Sequence, residues 1–212
     1  MSRAPYYPIF LDLAGRRCLV VGGGTVALRK VEALLEHQAI VKVISPKLSS
    51  QLEKMASENT IEIEARQYRS GDLEGAFLVI AATDNAEVNG RVSRDARRLG
   101  LLINVVDDAA RSNFIVPSSL SRGDITIAIS TAGTSPALAR KIRTELEDYF
   151  GAEYAALARL AGEVRRQLIG SGQAVSPERW QKALDIGYLI GMLREGKEAE
   201  ARAALLSRLK EG

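Results

Sequence analysis

The residues that most often carry chemistry are scarce in this chain. It has one histidine and one cysteine in 212 residues, too few for a zinc or iron site assembled from the usual protein ligands. If a metal is handled, the substrate must supply most of its ligands. His37 falls at the end of a predicted helix, away from any strand end, and reads as a surface or cap residue. Hydride chemistry or a triad that needs histidine is therefore excluded. Cys18 sits inside a predicted strand and can form no internal disulfide. It reads as a small buried apolar side chain rather than a reactive thiol, which fits a cytoplasmic protein. None of the six tyrosines has a lysine four residues later, so a Tyr/Lys acid–base pair is missing too.

Charge of one sign is also lacking. Lys and Arg total 29 against 26 Asp and Glu, for a net charge of +3. The basic residues are spread along the chain with no basic tail, which argues against a nucleic-acid partner but leaves a compact polyanionic small molecule open. No run is long enough to cross a membrane, and MSRAPYYPIF lacks the apolar core of a signal peptide. There is no internal repeat and no low-complexity segment.

What is present centres on Arg17 to Lys30, RCLVVGGGTVALRK. The apolar run Cys18 to Val21 predicts a buried strand, and it leads directly into Gly22-Gly23-Gly24. From Thr25 to His37, Val26, Val31 and Leu34/Leu35 fall on one helical face. Gly22, Gly24 and Ala27 fill the G-x-G-x-x-G/A positions of a dinucleotide fingerprint. The first glycine makes the turn, and the second lets the backbone approach a pyrophosphate. The small Ala27 lets helix and strand pack closely, and the helix N-terminus offers free N–H groups to the anion. A bare GxGxxA also serves as a structural turn or binds another phosphate ligand. Its place between strand and helix favours a dinucleotide.

Along the chain, Pro8 to Leu13 reads as a lead-in segment covering the sheet edge. Ile40 to Ser45 predicts a second strand, after which Pro46-Lys47 opens a helix with Leu48, Leu52 and Met55 on one face. Ile61 to Ala65 alternates as a third strand, and the continuous apolar run Phe77 to Ala82 reads as a central parallel strand. Asp84 and Glu87 form a capping pattern for a helix with Val88, Val92, Ala96 and Leu99 buried, ended by Gly100. Leu101 to Val106 is a fifth strand. After Asp107-Asp108 the alternation stops. Two short strand-like runs, Phe114–Val116 and Ile125–Ile129, precede a helix capped by Ser135-Pro136 with Leu138, Ile142, Leu146 and Tyr149 along one side. Leu157, Leu160/Ala161, Val164 and Leu168 form a further stripe, and Ser176-Pro177 caps a helix holding Trp180 and Leu184. The expected fold is α/β: a Rossmann-like doubly wound parallel sheet over residues 1–113, a small α+β region over 114–150, and a helical C-terminal domain over 151–212. With few residues of its own, the middle region would bury its apolar faces against another subunit. The helical tail is either a bundle covering the cleft or a dimer clamp.

Ligands of open parallel sheets bind outside the carboxyl ends of the strands, near the topological switch point. Those ends are Gly22–Gly24, Ser45-Pro46-Lys47, Thr83-Asp84 and Asp107-Asp108. The loop Thr131 to Ser135, TAGTS, precedes a helix N-terminus and could receive a substrate carboxylate. These stretches are expected to line one cleft. Asp107 is the best candidate for a working carboxylate, because it directly ends an apolar strand; the alternative is a turn aspartate. Asp84 reads as a helix cap and Asp108 as solvated. An acidic residue normally meets the ribose 2′-OH about 20 positions after the glycines, but this strand ends in Ser45. Lys47 could favour a 2′-phosphate, and spacing leaves NAD and NADP both open.

VVGGGTVALRK, AATDNAEVN, NVVDDAARSNFIVPS and AISTAGTSPALARKIR, in this order and spacing, closely resemble the precorrin-2 dehydrogenase/sirohydrochlorin ferrochelatase family. These are the siroheme-synthase enzymes that oxidise precorrin-2 with NAD and, in bifunctional members, insert iron. The resemblance is strong over about residues 5–150 and weak in the helical tail. It implies a homodimer, NAD as cofactor, precorrin-2 as substrate and, if the chain is a bifunctional member, a ferrous or cobalt ion as a second substrate. It also implies that 114–150 is a dimerisation region. By position, Asp107 resembles the family's essential aspartate, a general base linked to chelation too. Thr25, Val26, Pro46 and Lys47 match its NAD-contacting positions. Thr131 stands where some relatives carry a phosphorylatable serine near the tetrapyrrole site, in the loop with Gly133 and Ser135. The methyltransferase module fused in some siroheme synthases is expected to be absent from a chain ending at Gly212. Two readings of other kinds compete: a non-catalytic NAD-binding redox sensor, which would need neither Asp107 nor the TAGTS loop, and a chelatase with a vestigial cofactor site.

Overall fold

The computed structural model describes residues 6–210. The chain divides into two compact units, Met1–Val116 and Pro117–Gly212.

The first unit is built on five parallel strands: β1 (Arg17–Val21), β2 (Ile40–Ile44), β3 (Glu62–Glu64), β4 (Leu78–Ala81) and β5 (Leu102–Val105), in the order β3-β2-β1-β4-β5. β1 is central, with Cys18 paired to Val41 on one side and to Leu78 on the other. The two-residue period of its side chains splits the core into two layers. Cys18 and Val20 pack with Ala27, Val31 and Leu34 of α1 (Thr25–Glu36) and Leu52 of α2 (Ser50–Ser57). Leu19 and Val21 pack on the opposite face with Val92 and Ala96 of α3 (Ala86–Arg98). Helices cover both faces, so the sheet is doubly wound as the alternation predicted. The chain steps outward from β1 to β3, returns, and steps the other way through β4 and β5. The switch point therefore lies between β1 and β4.

Three local expectations are corrected. Pro46 and Lys47 do not open a helix: α2 starts at Ser50, and Ser49 caps it by accepting from Leu52 N at 3.4 Å. Asp84 does not cap α3. Asn85 does, accepting from Glu87 N and Val88 N at 2.9 and 3.1 Å. An asparagine one residue nearer the first turn puts its oxygen within reach of both donors. Leu99, expected in the buried stripe of α3, is 47% exposed as the helix ends. Gly100, at φ +69°, terminates that helix, and Leu101 N bonds Ala96 O at 2.9 Å.

In the second unit, β6 (Ser118–Arg122) and β7 (Ile125–Ile129) form an antiparallel hairpin across Gly123-Asp124. Phe114–Val116, expected as a strand, is not one; the strand forms from Ser118, where it can pair with β7. α4 (Pro136–Tyr149) has Pro136 at its first position and Ser135 as cap, accepting from Leu138 N at 3.2 Å. Leu138 and Tyr149 of its expected stripe remain 51% and 65% exposed. α5 (Ala152–Gly170), α6 (Pro177–Ala183), α7 (Ile186–Arg194) and α8 (Glu198–Lys210) close around Leu157, Leu160, Val164, Leu168, Leu189 and Leu205. Ser176 caps α6 and Asp185 caps α7. Among the described residues, no helix is long and apolar enough to cross a membrane.

Candidate nucleotide-binding site

The glycine turn is fixed by close backbone approaches. Gly22 sits at φ +133°, where a Cβ would lie 2.3 Å from Ala82 O of the neighbouring strand end. Gly23 leaves no room either: a Cβ there would lie 2.0 Å from Lys47 O and 2.7 Å from Ser45 Oγ. The middle glycine is thus as necessary as its neighbours, although the fingerprint assigns it no role. Only the β2–α2 turn, folded against it, shows why. Gly24 differs from both, because nothing lies within 4 Å of a Cβ built on it. Its smallness leaves open space above the first turn of α1. No side chain caps that helix and no acidic residue occupies its first turn, so its leading N–H groups face outward without partners of their own.

These groups open onto a cavity of about 990 Å³ at the carboxyl ends of β1, β2 and β4. Gly22, Gly24, Thr25, Val26, Pro46 and Lys47 all stand on its wall. The end of β2 carries no carboxylate. Ser45 is 6% exposed and shapes the turn instead, its Oγ donating to Lys47 O at 2.6 Å. The acidic residues lining the cavity are Asp84 and Glu87, both at the β4–α3 turn, while Lys47, Arg91 and Arg94 line it as cations. A cradle of small residues, an uncapped helix start and cations beside it fit an anionic dinucleotide.

Part of the wall escaped sequence reasoning. Gln67 and Tyr68, in the loop after β3, line the cavity. Tyr68 OH donates to Asp95 Oδ2 at 2.8 Å, Ser70 Oγ donates to the same oxygen at 3.0 Å, and Arg91 Nη2 donates to Tyr68 O. The Arg91 guanidinium lies 5.1 Å over the Tyr68 ring. Burial, with Asp95 beside it, pushes the Tyr68 phenol well above its ordinary range. The strand-end rule applied to β3 would have found this loop, but its clasp onto α3 joins residues far apart in sequence.

Asp107 is not on the cavity wall. It lies exposed in the turn after β5 at φ +58°. Buried Ser112 holds the turn, its Oγ accepting from Val105 N at 2.9 Å and donating to Asp108 O at 2.8 Å. On α1, half-buried Lys30 has its pKa lowered by burial first and then by Arg29, with the Asp107 charge opposing both. Asp108, expected as solvated, accepts from Arg111 N at 3.0 Å and pairs with Arg111 Nε at 3.5 Å. Asp84, expected as a cap, lines the cavity.

Thr131, Gly133 and Ser135 belong to the second unit, where they fold into a self-bonded loop. Thr131 Oγ1 accepts from Ser135 N at 3.0 Å, and Ser135 Oγ is used in capping α4. Ala132 and Gly133 both adopt positive φ, and a Cβ on Gly133 would meet only open space.

Residues 9–118 match a family model described as "Putative NAD(P)-binding", and residues 122–149 match that of the central region of a sirohaem biosynthesis protein. The chain belongs to this NAD(P)-binding family. Within this family it is 40% identical over 209 residues to a siroheme synthase of Chromobacterium violaceum, covering 98% of this chain and 44% of the relative. A siroheme synthase of Methylobacillus flagellatus is 42% identical over 204 residues, 93% of this chain and 43% of the relative. The chain thus spans less than half the length of these relatives. A solved structure of SirC, a precorrin-2 dehydrogenase, superposes with a TM-score of 0.71 at 25% identity, covering 98% of this chain and 100% of the other.

Proposed function

We propose that this chain oxidises precorrin-2 to sirohydrochlorin with NAD, and that the same protein serves the insertion of ferrous ion that gives siroheme. The observation that carries the cofactor half is the uncapped start of α1 above Gly24, opening on a cavity large enough for a dinucleotide. The substrate half is supported by likeness to a siroheme synthase over 98% of this chain and to a precorrin-2 dehydrogenase over 98% of this chain and all of the other.

Bound NAD supplies the hydride acceptor. The leading N–H groups of α1 and the backbone beside Gly24 would hold its pyrophosphate, and the turn Ser45–Lys47 would help hold the rest of the dinucleotide. Precorrin-2 loses a hydride and a proton, and the Asp107 carboxylate takes that proton. The loop holding Thr131, Gly133 and Ser135 receives a carboxylate of the macrocycle. Among the described residues no group of three or more His, Cys, Asp or Glu side chains is placed to hold a metal ion. Iron is a substrate in this reading, ligated by the nitrogens of the macrocycle. A cytoplasmic homodimer is part of the same proposal, and the exposed Leu138 and Tyr149 of α4 support the dimer.

Incubation with precorrin-2 and NAD, followed by NADH absorbance, tests the oxidation; ferrous or cobalt ion added afterwards tests chelation through the macrocycle spectrum. Absence of reduced cofactor with both NAD and NADP would refute the dehydrogenase. Asp107→Ala should slow NADH production by about 10²- to 10⁴-fold, the usual share of a general base, while NADH binding survives. Near-normal turnover by that variant would remove Asp107 from the mechanism.

A further inference from the structure

Beside the glycine turn lies a buried side chain that touches no part of the cavity. Asn89, in α3, is 8% exposed and absent from the cavity wall. Its amide is occupied by one residue. Asn89 Oδ1 accepts from Thr83 N at 3.3 Å and from Thr83 Oγ1 at 2.7 Å, and Asn89 Nδ2 donates to Thr83 O at 2.8 Å. Thr83 Oγ1 also accepts from Asn85 N at 3.2 Å, which ties this fastening to the capping residue of α3.

Thr83 is on the cavity wall, directly behind the glycines. A Cβ built on Gly22 would lie 2.3 Å from Ala82 O and 3.2 Å from Thr83 N. The peptide joining Ala82 to Thr83 is therefore the surface against which the glycine turn is pressed, and a shift there moves into the space the turn needs. Ala82 is held to the end of the neighbouring β1, its N–H bonded to Val21 O at 2.8 Å. Thr83 has left the sheet, and its polar groups are fixed by Asn89. Only an amide of this length offers a donor for the carbonyl and an acceptor for the N–H together.

We infer that Asn89 is a positioning residue of the cofactor site, acting through Thr83 to hold the β4–α3 turn against the glycine turn. This rests on the dinucleotide reading of the cavity. It assigns Asn89 no contact with cofactor or substrate.

The test is calorimetric titration of the full chain with NADH, alongside its melting curve. Each neutral hydrogen bond is worth a factor of about two to ten and three are lost, so Asn89→Ala should bind NADH about tenfold or more weakly. Asn89→Asp gives a sharper readout and covers the case in which Asn89→Ala does not fold. Its ionised carboxylate still accepts from Thr83 N–H but presents no proton to Thr83 C=O. Protonation restores that donor, so NADH affinity of this variant should recover as pH falls from about 8 to about 5, while wild type changes little. Wild-type affinity in a folded Asn89→Ala, or the same pH dependence in Asn89→Asp as in wild type, overturns the inference. Wild type that fails to bind NADH overturns it together with the cofactor reading. NADH binding by wild type without precorrin-2 turnover would overturn the dehydrogenase alone and leave Asn89 in its role.

Discussion

Among the described residues, two helices begin on a glycine with no capping side chain, one in each unit, and their first turns are completed differently. α5 starts after Gly151, and Glu153 in its first turn turns back on its own backbone N–H and pairs with Arg194. Its positive end is neutralised from within. α1 starts after Gly24 with no acidic residue in its first turn. α2, α3, α4, α6 and α7 each carry a Ser, Asn or Asp cap. A helix start left bare where others are finished signals a ligand more specifically than the glycines do, because glycine alone is common to both helices.

Substitutions can break this contrast. The largest effect is expected at the glycines themselves. Gly22→Ala puts a methyl where Ala82 O stands, at a φ that L-residues rarely adopt. Urea unfolding should show a loss of about 2–4 kcal/mol, from backbone strain and overpacking together, and NADH binding should vanish with it. Finishing α1 as α5 is finished should act on binding alone. Val26→Glu places a carboxylate in the bare first turn, on the cavity wall. NADH should then bind about 100-fold more weakly, from like-charge repulsion at the pyrophosphate. Helix stability should hold or rise slightly, since an acidic residue is favourable there. The smallest effect is expected on removing the charge of α5. The Glu153 carboxyl is held below its usual range, first by its own backbone N–H and then by Arg194. Its folded pKa is depressed, so its stabilisation is present above about pH 4.5 and is lost as pH falls through the lowered value. Glu153→Gln should lessen the fall in melting temperature below that pH and leave NADH affinity unchanged.

The parallel sheet and its glycine turn were legible because they depend on local pattern: an apolar run, a turn, then a helical stripe. The six expected cofactor residues stand together for the same reason, lying just past strand ends of one sheet or in the first turn of the helix that follows. What was not legible depended on approach between distant segments. Gly23 looks dispensable until the Lys47 carbonyl is folded against it. Tyr68 and Arg91 gain their place from a clasp that no period in the sequence records. Phe114–Val116 has strand-like composition, but pairing goes to Ser118–Arg122, where β7 supplies a partner. Asp107 was located correctly after its strand, yet the turn made by Ser112 leaves it off the cavity wall. Position along the chain specifies which strand a residue ends, but not the direction the turn then takes.

Cys18 lies in the middle of β1, 1% exposed, with its thiol pushed up to about 11 by burial. At neutral pH only about one molecule in 10⁴ would hold a thiolate there, and that one is covered by α1 and the sheet. The native thiol is thereby silent toward maleimides and other thiol reagents. A single cysteine introduced at the surface of either unit becomes the one site a dye or spin label can reach, with no need to remove Cys18 from the strand that supports the glycine turn.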